Sequence, residues 1–306
     1  MRKRHALLVL LASLFQMASA QMPNDGLMMP KQNWCTLVQY TQNSWDEYWE
    51  GADKRSNSNL GTFTGRNVML MTNYGITDRL NVMAGIPYVW TGSDSYLEGQ
   101  SGLQDLSVFV KYQPFQTNLA GGEFKVQVTG GASIPVTDYV PDILPLSIGL
   151  QSKTASLRGI LNYTHGSGIY LTVQAGHTWR STTTIDRDSY IFENELYYSD
   201  EVPVPNMLDA TGRLGFISKK FQAEVNLDYF TGLSGDDIRY NDMPFPGNKM
   251  QATTAGLFAK YFVWRGLAIQ ASYGQVLSGR NVGQGTVIAG GFTYFFELGG
   301  SNESAN

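Results

Sequence analysis

The chain has 306 residues, of which 42% are hydrophobic and 16% are charged, and it contains 33 glycines, 17 tyrosines and 15 phenylalanines. Its formal charge of −4 argues against a nucleic-acid partner, because such partners require clustered lysine and arginine. One cysteine and three histidines exclude an internal disulfide and a Cys/His metal cage, and we expect neither a cofactor nor a bound metal.

Residues 1–20 have the three parts of a secretory signal peptide. A basic stretch at 2–4 precedes an apolar stretch at 6–15, and the small residues at 18–20 form a cleavage site. The apolar stretch is shorter than the about 20 residues that a membrane-spanning helix needs. Removing 1–20 takes away three of the 22 basic residues and none of the 26 acidic ones, which leaves a mature formal charge of −7.

Residues 21–33 come next and are rich in methionine and proline. Proline lacks a donor for a β-ladder, and methionine packs adaptably against irregular surfaces. We therefore expect a periplasmic segment outside the sheet, long enough at about 40 Å when extended to enter a barrel. Two interpretations remain open, a plug inside the barrel and a disordered leader.

Residues 34–297 alternate between apolar and polar side chains almost throughout. In 221–229, for example, Phe, Ala, Val, Leu and Tyr alternate with Gln, Glu, Asn and Asp, and a strand turns these two sets to opposite faces. The pattern predicts twelve strands, at 34–46, 63–75, 79–91, 103–114, 122–136, 153–165, 168–180, 207–218, 221–231, 250–263, 266–277 and 285–297.

The lengths of these strands and of their links favour a transmembrane barrel. Most predicted strands have about 10 to 13 residues, close to the about 9 to 11 that a membrane-spanning strand needs. Every second link is short, including the one at 116–121, and the others are mostly long, which is the asymmetry of periplasmic turns and extracellular loops. We place 190–198 as a hairpin arm within a loop. The predicted fold class is all-β, a transmembrane antiparallel up-and-down β-barrel of about 12 strands.

The alternative fold is a secreted soluble β-sandwich or lipocalin-like barrel, which also alternates. The apolar stripes, however, end in aromatic residues that suit the lipid headgroup level. These residues are Tyr74, Tyr88, Tyr112, Tyr163, Trp179, Tyr229, Tyr261, Tyr273 and Tyr294. The sequence therefore predicts outer-membrane lipid as the partner of the apolar face and the bacterial outer membrane as the location.

The polar face of the predicted barrel lines its lumen and carries charges of both signs. The lumen-lining candidates are Asp105, Lys111, Lys125, Arg158, Arg180, Asp209, Arg213, Glu224, Asp228 and Lys260. They would form a constriction that selects solutes by charge and hydrogen bonding, or a salt-bridged interior that only stabilises the barrel. Twelve strands fall between the filled 8-stranded and the open 16-stranded barrels, so both interpretations stay open.

Three stretches carry a recognisable pattern. The first is Tyr-Gly-Ile-Thr-Asp-Arg-Leu at 74–80, which runs into Gly-Ile-Pro-Tyr at 85–88. The second is Gly-Leu-Gln-Asp-Leu-Ser at 102–107, followed by Lys111 and Tyr112, and the third is Gly-Ala-Ser-Ile-Pro at 131–135. Over 66–136 the chain resembles the outer-membrane transporter family associated with the meta-pathway of phenol degradation, with Gln104 where that family usually has glycine. The resemblance implies an outer-membrane barrel that transports small, often aromatic molecules.

The last predicted strand resembles a sorting signal. Gly291, Tyr294 and Phe296 fit the spacing read by the barrel-assembly machinery, which we therefore expect as a partner. Ala289 departs from the polar residue usual at the start of such signals, and a tail at 298–306 follows the strand.

Three functions remain from different classes. The first is a passive outer-membrane channel for small, apolar or aromatic solutes, with the solute itself unidentified and no enzymatic activity. The second is an outer-membrane lipid hydrolase, because His165 and Ser167 resemble the core of the outer-membrane phospholipase, although they fall at a turn on the periplasmic side. The third is a structural or adhesive barrel that uses its long loops. Asp236, Asp237 and Asp242 are a Ca²⁺ candidate, but a solvated loop is the better reading of them.

Overall fold

The computed structural model describes residues 22–58, 60–240, 242–264 and 266–297. The predicted signal peptide (1–20) and C-terminal tail (298–306) lie outside the described residues. In the part of the chain that the structure describes, no helix is long and apolar enough to cross a membrane.

The described residues contain twelve long strands. They are β1 (Asn33–Trp45), β2 (Phe63–Thr77), β3 (Leu80–Ser93), β4 (Asp105–Leu119), β5 (Gly122–Pro135), β6 (Thr154–His165), β7 (Ile169–Arg180), β8 (Met207–Ile217), β9 (Phe221–Gly232), β10 (Gln251–Trp264), β11 (Leu267–Arg280) and β12 (Thr286–Glu297). Each strand pairs antiparallel with the next. The predicted fold class is confirmed.

The first strand closes the barrel. In β1, Trp34 lies opposite Tyr74 of β2 on one side and Phe296 of β12 on the other. In the described residues, every long strand therefore has two neighbouring strands, and the sheet closes on itself. Closure is what allows a sheet to stand in lipid, where an unpaired backbone group costs several kcal/mol.

One strand and one turn were predicted wrongly. β4 does not end at 114, and the link at 116–121 is reduced to Ala120 and Gly121, because the strand continues to Leu119. The ladder shifts register between Tyr112 and Phe115, so Pro114 lies in a β-bulge, where a missing donor costs no ladder bond.

The two ends of the barrel differ. At one end, called the turn end, tight turns join the strands. At the other, called the loop end, long loops carry structure of their own, including the hairpin of Tyr190–Phe192 with Glu195–Tyr197, which stays outside the barrel sheet as predicted. Ile185, Val202 and Phe245 pack with Tyr190 into a small core above the strands.

The two faces of the sheet have opposite chemistry. Val110 is 45% exposed on the outer face, whereas the next residue, Lys111, is 1% exposed inside. Aromatic groups flank the apolar outer surface, with Trp34 against Phe296 near the turn end and Tyr40 against Trp90 farther toward the loop end. Such a surface is the one that a bilayer requires of a barrel.

Candidate functional site: the barrel lumen

Residues 22–32, called the N-terminal segment, lie inside the barrel. At the turn end, the backbone N–H of Gln32 donates to the carbonyl of Gly75 at 2.8 Å, and the N–H of Lys31 donates to Asp78 Oδ1 at 2.9 Å. Farther in, Met29 is fully buried in a cluster with Cys35 and other inward-facing residues. The chain thus runs from the start of β1 back into the lumen.

Asp25 folds the tip of the segment into a compact turn. Its Oδ2 accepts from the N–H of Met22 at 2.6 Å, and its Oδ1 accepts from the N–H of Leu27 at 2.9 Å. A carboxylate that accepts from nearby backbone donors replaces the missing ladder bonds. The segment therefore presents several carbonyl groups outward to the barrel wall.

Lys111 is the anchor for this turn. Its Nζ donates to the carbonyl of Asp25 at 2.5 Å, to Asp25 Oδ1 at 2.9 Å and to the carbonyl of Leu27 at 2.9 Å, with the carbonyl of Met22 at 3.4 Å. An ammonium group has three donors, so these acceptors satisfy it completely. A buried charge is tolerated only with such partners, and the segment supplies them.

Neutral side chains hold the rest of the segment. Asn81 Nδ2 donates to the carbonyl of Met29, Gln127 Nε2 to that of Gly26 and Thr129 Oγ1 to that of Pro23, at distances of 2.9 to 3.2 Å. A Cβ on Gly26 would lie 2.4 Å from the Asn162 side chain. We call the inner faces of β3 to β6 the segment wall. The predicted lumen residues were selected by charge, so the amide side chains of Asn81 and Gln127 were missed, although alternation turns them to the same inward face.

The lumen faces of β9 to β11, called the cavity wall, border a different environment. A cavity of about 310 Å³ separates this wall from the N-terminal segment. Its polar lining includes Arg213, Gln222, Glu224, Asn226, Asp228, Lys260, Gln270 and Ser272, and its apolar lining includes Met22, Cys35, Leu37, Met71 and Phe258.

The first of two lumen ion pairs crosses a glycine on an intervening strand. Arg158 Nη2 donates to both Asp209 oxygens at 2.8 Å, across Gly176. A Cβ there would lie 2.9 Å from Asp209 Oδ1. Glycine thus lets a long side chain on one strand reach a carboxylate two strands away.

The second pair joins Arg213 to Glu224, with Nε to Oε1 at 3.8 Å. Tyr170 O–H donates to Glu224 Oε2 across Gly215, where a Cβ would lie 2.5 Å from the tyrosine ring. Arg213 Nη1 also donates to the carbonyl of Asn24 at 3.0 Å. Arg213 therefore contacts both the cavity wall and the N-terminal segment.

The other candidates occupy separate places along the lumen. Asp228 accepts from Thr211 Oγ1 at 2.7 Å, and Lys260 Nζ lies 3.5 Å from Gln222 Oε1. Toward the loop end, Asp105 accepts from Tyr139 O–H at 2.9 Å. Near the turn end, Lys125 pairs with Glu123 at 2.5 Å, and Arg180 lies below the loops. All ten candidates share the inward face, and their roles in selectivity stay predictions.

The two alternative sites lack a working arrangement. Ser167 Oγ lies 2.8 Å from His165 Nδ1, but the N–H of Ser167 also donates to Nδ1, so the pair closes an exposed turn. Among the acidic loop residues, Asp237 pairs with Arg280, whereas Asp236 and Asp242 accept from separate backbone N–H groups. Within the described residues, no group of three His, Cys, Asp or Glu side chains could hold a metal ion.

The packing in the lumen also explains why the sequence of β1 alternates poorly between apolar and polar residues. Its alternation is poor in the sequence because its inward face carries the apolar residues Cys35 and Leu37. Cys35 packs against Met29 of the N-terminal segment. Packing against the N-terminal segment therefore favours apolar residues on the inward face of β1, where the other strands carry polar ones.

Comparisons with known proteins agree with this architecture. The crystal structure of an outer-membrane channel from Pseudomonas putida F1 has a TM-score of 0.73 and 17% identity, covering 90% of this chain and 100% of that one. Two other structures are less similar. The KdgM porin in complex with disordered oligogalacturonate has a TM-score of 0.49 and 9% identity, covering 85% of this chain and 99% of that one. The translocator domain of the autotransporter NalP from Neisseria meningitidis has a TM-score of 0.45 and 11% identity, covering 89% of this chain and 90% of that one. No curated protein matches the chain.

A family model described as "Putative MetA-pathway of phenol degradation" matches residues 39–290. This match includes the whole of 66–136, the stretch whose motifs predicted the same family. The chain therefore belongs to that family, and it is an outer-membrane β-barrel with the fold of a channel.

Proposed function

We propose that the chain is a passive outer-membrane channel for small solutes with an apolar or aromatic body. The observation that carries this proposal is the cavity between the N-terminal segment and the cavity wall. Its lining combines methionine, leucine and phenylalanine with amides and charges. Binding sites for small molecules have this composition, in which apolar groups hold the body and a few polar groups orient it.

The N-terminal segment narrows the route through the barrel. It fills the space beside the segment wall with backbone and side chains that hydrogen-bond to that wall. What remains open lies beside Arg213, Glu224, Asp228 and Lys260. Charged rings at a constriction select solutes by charge and hydrogen bonding, so we assign selection to these residues and occlusion to residues 22–32.

The comparisons support transport rather than catalysis. The similar structure from Pseudomonas putida F1 is that of an outer-membrane channel. The phospholipase-like pair at His165 and Ser167 forms an exposed turn. Among the described residues, no third group hydrogen-bonds to the His165 ring to orient it, although nucleophilic catalysis requires such a group. For assembly, we propose that β12 with Gly291, Tyr294 and Phe296 is read by the barrel-assembly machinery.

Single-channel recording on the refolded barrel tests this function, together with swelling of liposomes in a panel of neutral, acidic and aromatic solutes. We expect discrete conductance steps and faster swelling with small solutes than with large ones. A boiled sample is the control, because a closed barrel migrates differently on SDS gels before and after boiling. A folded barrel that neither conducts nor swells liposomes would exclude the channel and favour a structural or adhesive role. Lipid hydrolysis by the refolded barrel would favour the enzyme instead.

A further inference from the structure

A second cavity, of about 340 Å³, lies at the loop end of the barrel. It shares no lining residue with the lumen cavity. Its walls come from the loops at 136–153, 181–206 and 233–250 and from the loop-end residues of β7 to β9. The apolar lining consists of Leu144, Ile148, Leu150, Pro205, Met207, Phe230, Pro246 and Met250.

Arg180 is the charged side chain in this lining, whose other side chains are apolar or neutral. Its Nη1 donates to the carbonyl of Pro205 at 3.1 Å, and its Nη2 lies 3.3 Å from the sulfur of Met207, which is a weak acceptor. In the described part of the chain, no carboxylate oxygen lies within 4.0 Å of this guanidinium. A guanidinium has five N–H donors, so most of its capacity is free for a ligand.

The neutral polar groups of the lining are already occupied by the loops. Ser147 Oγ donates to the carbonyl of Gly149 at 2.8 Å. Asn248 accepts from the N–H of Phe245 at 2.7 Å and donates to the carbonyl of Asp236 at 3.2 Å. These side chains hold the loops in place, and Arg180 is left as the group that can recognise a polar head.

We propose that this cavity binds a small monocarboxylate whose apolar body is about the size of one aromatic ring. The carboxylate lies on the Arg180 guanidinium, and the body packs against Phe230 and Met207. A neutral solute would leave the guanidinium donors unpaired, which is costly away from water. One cation in a lining whose other side chains are neutral matches one negative charge, and a planar guanidinium fits a carboxylate with two parallel hydrogen bonds.

The position of this site gives it a role in uptake. It lies at the end of the barrel that the long loops cover, so a solute arriving from outside meets it before the lumen. This role rests on the proposed channel function, but binding at equilibrium does not require conduction. The site thus adds a substrate class, small amphipathic carboxylates, to the proposed function.

Fluorine NMR titration of the full-length refolded barrel in detergent micelles tests the proposal. The probes are para-fluorophenylacetate and its neutral isostere, para-fluorophenylacetamide. We expect saturable binding of the anion, which Arg180→Met weakens about tenfold or more, since a hydrogen bond to a charged group is lost. Binding of the amide should change little. Arg66→Met is the matched control, because Arg66 lies on β2 outside the cavity, hydrogen-bonded to Gln42.

A second variant keeps the test decisive if Arg180→Met does not fold. Leu150→Trp fills the cavity and should abolish binding of both probes in a barrel that still shifts on heating. Equal affinity of Arg180→Met and the parent chain for the anion would overturn the proposal, as would mere partition of the probe equal to that in empty micelles. Liposome swelling on the same samples separates the two claims: transport without anion binding rejects this site alone, and binding without transport rejects the channel.

Discussion

The two walls of the lumen are built from the same kind of strand but face different surroundings. On the segment wall, Lys111 and Gln127 donate to acceptors of the N-terminal segment. On the cavity wall, Glu224 and Asp228 have partners within the barrel and border open space. One wall is completed by the protein's own chain, whereas the other is left to water and solute.

The difference between the segment wall and the cavity wall shows how a polar barrel interior can become selective for solutes. A lumen filled on every side would be a salt-bridged core, and a lumen open on every side would be a wide pore. Occupying one wall with residues 22–32 leaves a passage whose lining comes from both the segment and the barrel. The difference between the walls thus depends on about ten residues that lie outside the sheet.

Removing the N-terminal segment should have the largest effect on the difference between the two walls. Deletion of 22–31 takes away every acceptor that Lys111 uses and makes the segment wall as open as the cavity wall. We expect single-channel conductance to rise several-fold, with unchanged migration of the unheated barrel on SDS gels. Unchanged conductance in a conducting barrel would show that the segment does not occlude the route.

A second test compares the two faces of one strand in the cavity wall. Leu227 is 53% exposed on the outer face, so Leu227→Arg should destabilise the barrel by about 2 to 4 kcal/mol, the cost of a cation near the middle of the bilayer. Asp228→Asn, its lumen-facing neighbour, should fold normally and shift ion selectivity. Urea unfolding in lipid and reversal potentials measure the two effects, and equal tolerance of both substitutions would contradict the facing of β9.

Two buried lysines, one on each wall, offer a matched pair of variants. Lys111→Met removes the ammonium donor from the carboxylate of Asp25 and from the carbonyls of Met22, Asp25 and Leu27, which should weaken docking of the segment by about 2 kcal/mol. We expect frequent openings to a higher conductance level and faster cleavage of the segment by an added protease. Lys260→Met is the control, because it removes a second buried lumen ammonium group and leaves the bonds between Lys111 and the segment in place. If both variants open equally often, Lys111 is not the anchor.

The smallest effect concerns the loops above the lumen. Burial raises the pKa of Asp237, but hydrogen bonds from Arg280 and Asn281 outweigh it and hold that pKa below its usual range. Because the folded-state pKa is depressed, the contribution of this pair to stability is present above the ordinary Asp pKa and is lost as the pH falls through the folded value. The protection of the amides at 236–240 and 242–249 from hydrogen exchange, corrected for the intrinsic rate at each pH, should therefore fall slightly as the pH is lowered from about 5 to about 3.

Asp237→Asn should remove this pH response, and Asp242→Asn, in the same loop, should keep it. The effect is small because both partners of the ion pair are well exposed and screened by solvent. An identical pH response in Asp237→Asn and the parent chain would show that another group titrates.

By itself, the sequence determined the barrel, its strand positions and the facing of its side chains. Alternation with a period of two fixes which residues share a face, so Leu227 and Asp228 were separated correctly without coordinates. The same rule placed all ten charged candidates inward. It failed at Pro114, because a bulge is a local change of pairing that alternation does not encode.

The tertiary structure alone decided what each inward-facing residue meets. Alternation gives no distance across the lumen, so it could not tell that Lys111 contacts Asp25, 86 positions away in the chain. It also could not separate the lumen cavity from the cavity around Arg180, since both follow from how the segment and the loops fold over the barrel. Local periodicity determines faces, whereas the packing of segments without periodicity determines which parts of those faces stay open.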